Sequence, residues 1–427
     1  MTNLCFEGWA TYPRNLCISA AESDTLGHDR RLARAEKRLF MEDNAEDAEE
    51  NEAQVLELGP VSQDGSRHAE YITIESTAEL EALCSKPRSS WVFFLRQGYS
   101  WGPLQMTAEF LKKLFTFVQV HPEYLDVVTL FSEKLGPVEQ SFSSFFSHCW
   151  PDRSAVAESA CSYNVGYNIK YVAPHGRPNP KDPFSVRETG TYHSFDAGTR
   201  QAQWVMIQAS EELQERIRLY FARSNDGQED QIRIHGMIFQ AATAGWREYL
   251  VYLESEFSKM VSRSFYSNVA GPQLEGDFEA DFADIRQLQL FTDKLEKLLQ
   301  VLQRNIDIGQ EIQQFMERAR KHSSAELDSA FEETSSTIRS CMLKHRIHHS
   351  RIESLVSRGR KSSVLVQNIL DIRATESSAE VSSRMRVLAE KNARETRSMS
   401  ILSFISAVFL PATFLAKDIV WDQLFRL

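Results

Sequence analysis

The 427-residue chain lacks most of the signals by which a sequence declares a chemistry. Its six cysteines (Cys5, Cys17, Cys84, Cys149, Cys161 and Cys341) form no C-x-x-C pair, which excludes a paired-thiol zinc or redox motif. Scattered thiols suit a reducing compartment better than a disulfide framework. Neither a glycine-rich phosphate loop nor a G-x-S-x-G nucleophile elbow is expected, so serine-, nucleotide- and zinc-based enzymology has no foothold and no enzymatic activity is expected. The first residues carry Glu7, Trp9 and Pro13 with no apolar core, so no secretory signal is expected there. Basic surplus is absent as well. A net charge of −11 argues against a nucleic-acid partner, because binding phosphates needs a basic surface. No apolar run of membrane length occurs before residue 399.

What is present begins with charge blocks. Arg30, Arg31, Arg34, Lys37 and Arg38 form a basic helical patch, but Asp24, Asp29 and Glu36 spoil it as a mitochondrial presequence. Seven acids between Glu42 and Glu52 mark residues 41–68 as a solvated, disordered linker. Residues 1–69 therefore read as a basic helix plus acidic linker.

Residues 70–209 read as an α/β domain. Strands are expected at 71–74, 90–96, 161–172, 184–195 and 204–208, from alternation and aromatic or β-branched content. Helices are expected from Thr77 and over 107–118, the second with Thr107 as N-cap. Helix then takes over in residues 210–376: 211–222, a single long helix over 232–261, 282–320 with coiled-coil-like apolar spacing, and 335–372. A final rod over 377–416 leads to a short tail, 417–427. The fold class is thus α+β, a mixed α/β domain followed by long antiparallel helices and a stalk that enters one C-terminal transmembrane helix.

That transmembrane helix is the strongest feature. Met399 to Ala416 (MSILSFISAVFLPATFLA) holds no ionisable residue and no Gly, Asn or Gln. Eighteen residues span roughly 27 Å as a helix, close to the hydrocarbon thickness of a bilayer. Pro411 marks a kink of the kind membrane helices tolerate. Arg386, Lys391, Arg394 and Arg397 crowd its N-terminal side, which places that side in the cytoplasm or matrix. The expected location is a membrane crossed once, with the N-terminal domain cytoplasmic. On the rod, Val381, Met385, Leu388, Asn392, Thr396, Met399, Ser403, Ser406, Leu410 and Thr413 recur about every 3.5 residues, the period of left-handed helix association.

Several stretches bear a family likeness. FLPATF (Phe409 to Phe414), LLQVLQRNIDI (Leu298 to Ile308), ILDIR (Ile369 to Arg373), LAEKNARETRSMSIL (Leu388 to Leu402) and KDPFSVRETGTYHSF (Lys181 to Phe195) carry it. With them the chain resembles the CorA-type magnesium channel family, in its divergent filamentous-fungal branch. The resemblance implies a homo-oligomer, five copies by analogy, whose first membrane helices line a pore for hydrated magnesium. By position in the motif, Met399, Leu402, Ser406, Leu410 and Thr413 would face that pore. The family closes this helix with Gly-Met-Asn, and here the corresponding stretch reads Val420-Trp421-Asp422. The residues up to Leu427 hold no second membrane helix, so the expectation is either a truncated or alternatively spliced chain or a descendant that lost transport. The expected function is that of a CorA-like membrane protein related to a divalent-cation channel subunit, without filter or second helix. A non-transporting, membrane-anchored scaffold is the alternative, and a soluble helical regulator a further one. No cofactor is expected, with magnesium as the transported or regulatory ion.

Three other groupings have plain readings. Cys341, His345, His348 and His349 have helical spacing that suits zinc but lack the Glu of H-E-x-x-H, and with Lys344, Arg346 and Arg351 they read as a solvated basic face. Glu275, Asp277, Glu279, Asp281 and Asp284 read as a loop and helix start. The aromatic stretch Trp91 to Trp101 reads as core strand plus turn.

Overall fold

Ser90–Leu95 (SWVFFL) is rich in side chains that pack well on a pleated surface. In the computed structural model it is β3, an interior strand of a seven-stranded sheet. The structure describes residues 6–16, 24–41, 53–58, 71–84, 90–136, 138, 141–151, 161–178, 182–199, 201–223, 229–265, 281–321 and 328–424. The other strands are β1 (Ala53–Leu58), β2 (Tyr71–Ile74), β4 (Phe145–Pro151), β5 (Cys161–Pro174), β6 (Phe184–Asp196) and β7 (Gln201–Ile207). Their order is β2-β1-β3-β7-β6-β5-β4. Only the β3–β7 pair is parallel among the strand pairings described.

Alternation along the strands builds two cores. Trp91, Phe93 and Leu95 of β3 point into one, Val92 and Phe94 into the other. The first core is covered by α1 (Thr25–Leu39), α2 (Thr77–Cys84), α3 (Ala108–Val118) and α4 (Leu125–Val128). Thr107 starts α3 as read from the sequence, its side chain accepting the backbone N–H of Phe110 at 3.2 Å. The second core is covered by α5 (Glu211–Arg223), α6 (Glu229–Ala244) and parts of α8 (Phe282–Arg320) and α9 (Asp328–Leu424). Between α6 and α8 runs α7 (Trp246–Phe265). Each fully buried Phe or Leu contributes about 1.5–3 kcal/mol by leaving water, so the doubly covered sheet is the stable centre of the molecule.

Four readings from the sequence change. The supposed linker contains β1, which pairs with both β2 and β3 and buries Ala53, Val55 and Leu56. Six residues carrying Glu57 give too short an alternation to stand out beside an acidic block. Strand β4 was not anticipated either. The single helix over 232–261 is two, broken at Gly245, where a Cβ would lie 2.2 Å from the carbonyl oxygen of Val172. Close approach of the chain to β5 thus requires glycine there. Conversely, the two helices read over 335–372 and 377–416 are one continuous helix, α9.

By contact the chain forms two compact units, residues 1–257 with 291–357, and residues 258–290 with 358–427. The first holds the sheet. Within it α8 and α9 run antiparallel: Gln313 bonds Ser335, while Gly309 lies against Met342. The described part of the second unit is helical, with Val261, Leu288, Val366 and Ile369 buried. From 374 to 417 every residue is exposed.

Candidate functional site

The run Met399 to Ala416 lies within α9, and its side chains meet no protein surface. It belongs to the one helix among the described residues that is long and apolar enough to cross a membrane, and none of its apolar window is buried. Phe404 is 70% exposed and Phe414 69% exposed. Contiguous apolar surface of this kind in water is strongly unfavourable and marks a contact with lipid or protein. Met399, Leu402, Ser406, Leu410 and Thr413 follow one another at steps of three or four and share one face of the helix. Pro411 sits inside the helix and cannot donate to the carbonyl of Ala407. Two residues on, the Thr413 hydroxyl donates within the helix to the carbonyls of Phe409 and Leu410, both at 2.9 Å. The backbone of Val420, Trp421 and Asp422 continues α9, and their side chains lie outside the described residues.

The Cys341 cluster is not a solvated face. Cys341, His345 and His348 fall on the buried stripe of α9 together with Ile338, Met342 and Ile352. His345 is within 3.2 Å of the Thr243 hydroxyl and edge-on to Trp246. Burial, with His348 beside it, pulls its pKa down to about 3, so the ring is neutral and packs as an amphipathic core residue. Arg351, read as solvated, pairs with Glu254 at 2.9 Å. The basic residues had masked an apolar period that only packing reveals. Asp281 and Asp284 do begin a helix: each accepts the other's backbone N–H, at 3.0 and 2.9 Å. Glu275, Asp277 and Glu279 lie outside the described residues. Trp91 to Leu95 is core strand, and the turn beyond it leaves Tyr99 and Trp101 exposed.

Two features escaped the sequence reading. Gly98-Tyr99-Ser100-Trp101-Gly102 does satisfy G-x-S-x-G. It is a turn closed by Gly102 N–H to Tyr99 O at 2.8 Å. No helix follows until Ala108, and Ser100 lacks the positive φ of a strained turn, found among described non-glycine residues at Gln119 and Gln208. It is not a nucleophile elbow. The second feature is His121, Glu123 and His148, 27 residues apart at the extremes, whose ligand atoms lie within 4.8 Å of one another. His121 precedes the short turn Pro122–Tyr124, and its backbone N–H donates to the Tyr192 hydroxyl at 3.2 Å. Its ring packs on those of Phe146 and His148, and burial pulls its pKa down to about 4. His148 comes from β4, and its Nε2 stands 3.3 Å from Glu123 Oε2.

A doubly covered sheet and an exposed apolar helix of membrane length in one chain point to a membrane protein. A family model described as CorA-like transporters matches residues 4–265, more than half of the chain, and the protein belongs to that family. The matched stretch contains the sheet and ends before the apolar helix. No curated protein matches. Solved structures with some likeness include the full-length CmaX protein (12% identity, TM-score 0.37, covering 85% of this chain and 84% of that one). Another is the CorA magnesium transporter from Methanocaldococcus jannaschii (12% identity, TM-score 0.37, covering 79% and 81%). A third is the ZntB cytoplasmic domain from Vibrio parahaemolyticus RIMD 2210633 (10% identity, TM-score 0.36, covering 77% and 98%).

Proposed function

We propose that the protein is a subunit of a CorA-like, divalent-cation-conducting homo-oligomer, inserted in a membrane through residues 399–416 with its sheet domain on the cytoplasmic side. One observation carries this reading: an eighteen-residue apolar run, wholly uncovered by its own chain, on a helix that also leaves Val381, Met385 and Leu388 exposed. Lipid covers the first and copies of the same helix cover the second. In such an assembly, five-fold by family analogy, Met399, Leu402, Ser406, Leu410 and Thr413 face the axis. That lining is apolar with two hydroxyl positions, which suits passage of a cation that keeps its water shell. Magnesium is the proposed ion, since it gives up water reluctantly.

Val420-Trp421-Asp422, which the motif resemblance sets against the family's Gly-Met-Asn, supports a second reading, a membrane-anchored scaffold that does not conduct. A soluble regulator would need the run buried in protein, and the chain itself buries none of it. Reconstitution into liposomes loaded with a magnesium-sensitive dye separates the first two. Magnesium entry that is reduced by Leu410→Trp supports conduction; a membrane-integrated oligomer that passes no magnesium supports the scaffold and overturns the transport proposal.

A further inference from the structure

Outside the membrane helix, the grouping of titratable side chains with the clearest chemistry is His121, Glu123 and His148. Two imidazoles and one carboxylate are the donor set of zinc sites that keep an open position, whereas magnesium takes oxygen ligands almost alone. The geometry is close to what a tetrahedral ion needs. Donors at about 2.0–2.1 Å from zinc stand about 3.3 Å apart. His148 Nε2 and Glu123 Oε2 are already 3.3 Å apart, and all three donors lie within 4.8 Å.

The supports of the three side chains are firm. His121 is buried, held by its N–H to Tyr192 and by ring contacts at 5.5 Å to Phe146 and 4.4 Å to His148. His148 sits in a strand, opposite Asn164 of β5. Access is provided as well. Both histidines line a cleft of about 1120 Å³ shared with Ser147, Asn164, Arg318 and Lys321, and the His148 side chain is 33% exposed. Arg318 is held by the Ser147 hydroxyl at 2.8 Å. Its charge and that of Lys321 oppose a bare cation but favour an anionic or hydroxide fourth ligand on an ion already held by Glu123. Asp126, ion-paired to Arg31 at 2.5 Å, adds negative charge beside His28.

We infer that His121, Glu123 and His148 form a binding site for one zinc-class divalent ion in the sheet domain, with solvent from the cleft in the fourth position. The site uses no residue of the apolar helix and does not depend on the transport reading. It ties β4, an edge strand, to the turn after α3, so occupancy would rigidify that end of the sheet.

The test uses the full chain purified in detergent, stripped of metal and titrated with zinc, with bound metal counted by elemental analysis. Cobalt serves as a spectroscopic probe because a tetrahedral nitrogen–oxygen site gives intense visible bands. The expected result is one zinc per chain and a tetrahedral cobalt spectrum. His148→Ala and Glu123→Gln should each weaken binding by more than about ten-fold, the loss that even an outer-shell partner can cause. His349→Ala, on the histidine-rich stretch of α9, should leave binding unchanged, as should a large excess of magnesium. Both informative variants alter partly exposed side chains, and circular dichroism checks that each folds. Absence of stoichiometric zinc, an octahedral cobalt spectrum displaced by magnesium, or zinc binding that survives His148→Ala but not His349→Ala would each overturn the assignment.

Discussion

Lys170 is an ammonium group almost entirely out of water, on a central position of β5. Its Nζ donates to Glu188 at 2.9 Å and to the carbonyl of Phe142 at 2.8 Å, and Asn305 bonds both its backbone N–H and its carbonyl. Desolvating such a pair costs about as much as the pairing returns, whereas removing one partner strands a buried charge. Glu188→Ala should therefore destabilise the sheet domain by about 3–5 kcal/mol, and Lys170→Met combined with Glu188→Leu should recover most of that loss. Denaturant titration of the three variants checks it; an additive double variant would contradict the account. Histidine burial gives a second expectation at this scale. His235 and His345 have pKa values pulled down by burial to about 3, and His193, against His235 at 3.1 Å, is lowered too. An unfolded histidine titrates near 6.5, so between that value and the folded one the unfolded chain binds more protons. Their stabilisation is complete above about pH 6.5 and falls on acidification, by up to about 1.4 kcal/mol per pH unit for each ring. The thermal midpoint should drop between pH 7 and pH 5, and replacing His345 by Gln should flatten that dependence.

At the scale of the element, the terminal helix is set by solvation. A cation at the middle of a membrane span costs about 2.5–3.5 kcal/mol on the insertion scale. Val408→Arg should therefore move a substantial share of the protein from the pellet to the supernatant on alkaline carbonate extraction, while the unaltered chain stays in the pellet. Release of the unaltered chain would remove both membrane readings. Elements also show where local patterns misled. Ile232 to Val261 has an unbroken helical period, yet Gly245 ends one helix and Trp246 starts the next because β5 lies too close for a side chain. In AQVLEL a six-residue strand is hidden next to a run of acids, and only its two antiparallel neighbours define it.

For the whole molecule, the exposed row Val381, Met385 and Leu388 predicts association between copies. Leu388→Glu and Met385→Glu together place like charges on facing helices and should reduce chemical cross-linking of the detergent-solubilised protein to its monomer band. An unchanged cross-linking ladder would refute the stalk interface. The sheet domain should be untouched by that pair, with circular dichroism and the thermal midpoint preserved.

Sequence alone determined whatever depends on near neighbours along the chain. The apolar run at 399–416, the helix over 282–320, the Thr107 cap and strand β3 are set by residues a few positions apart, through hydrophobic period, capping chemistry and β-branched content. Tertiary structure decided what depends on the pairing of distant segments. Residues 341, 345 and 348 became core once α9 had α6 and α7 to pack against, and the ring of His148 reached His121 and Glu123 once β4 paired with β5. Register across a sheet places side chains by contacts between strands, and no spacing along one chain encodes where a second strand will put its partner.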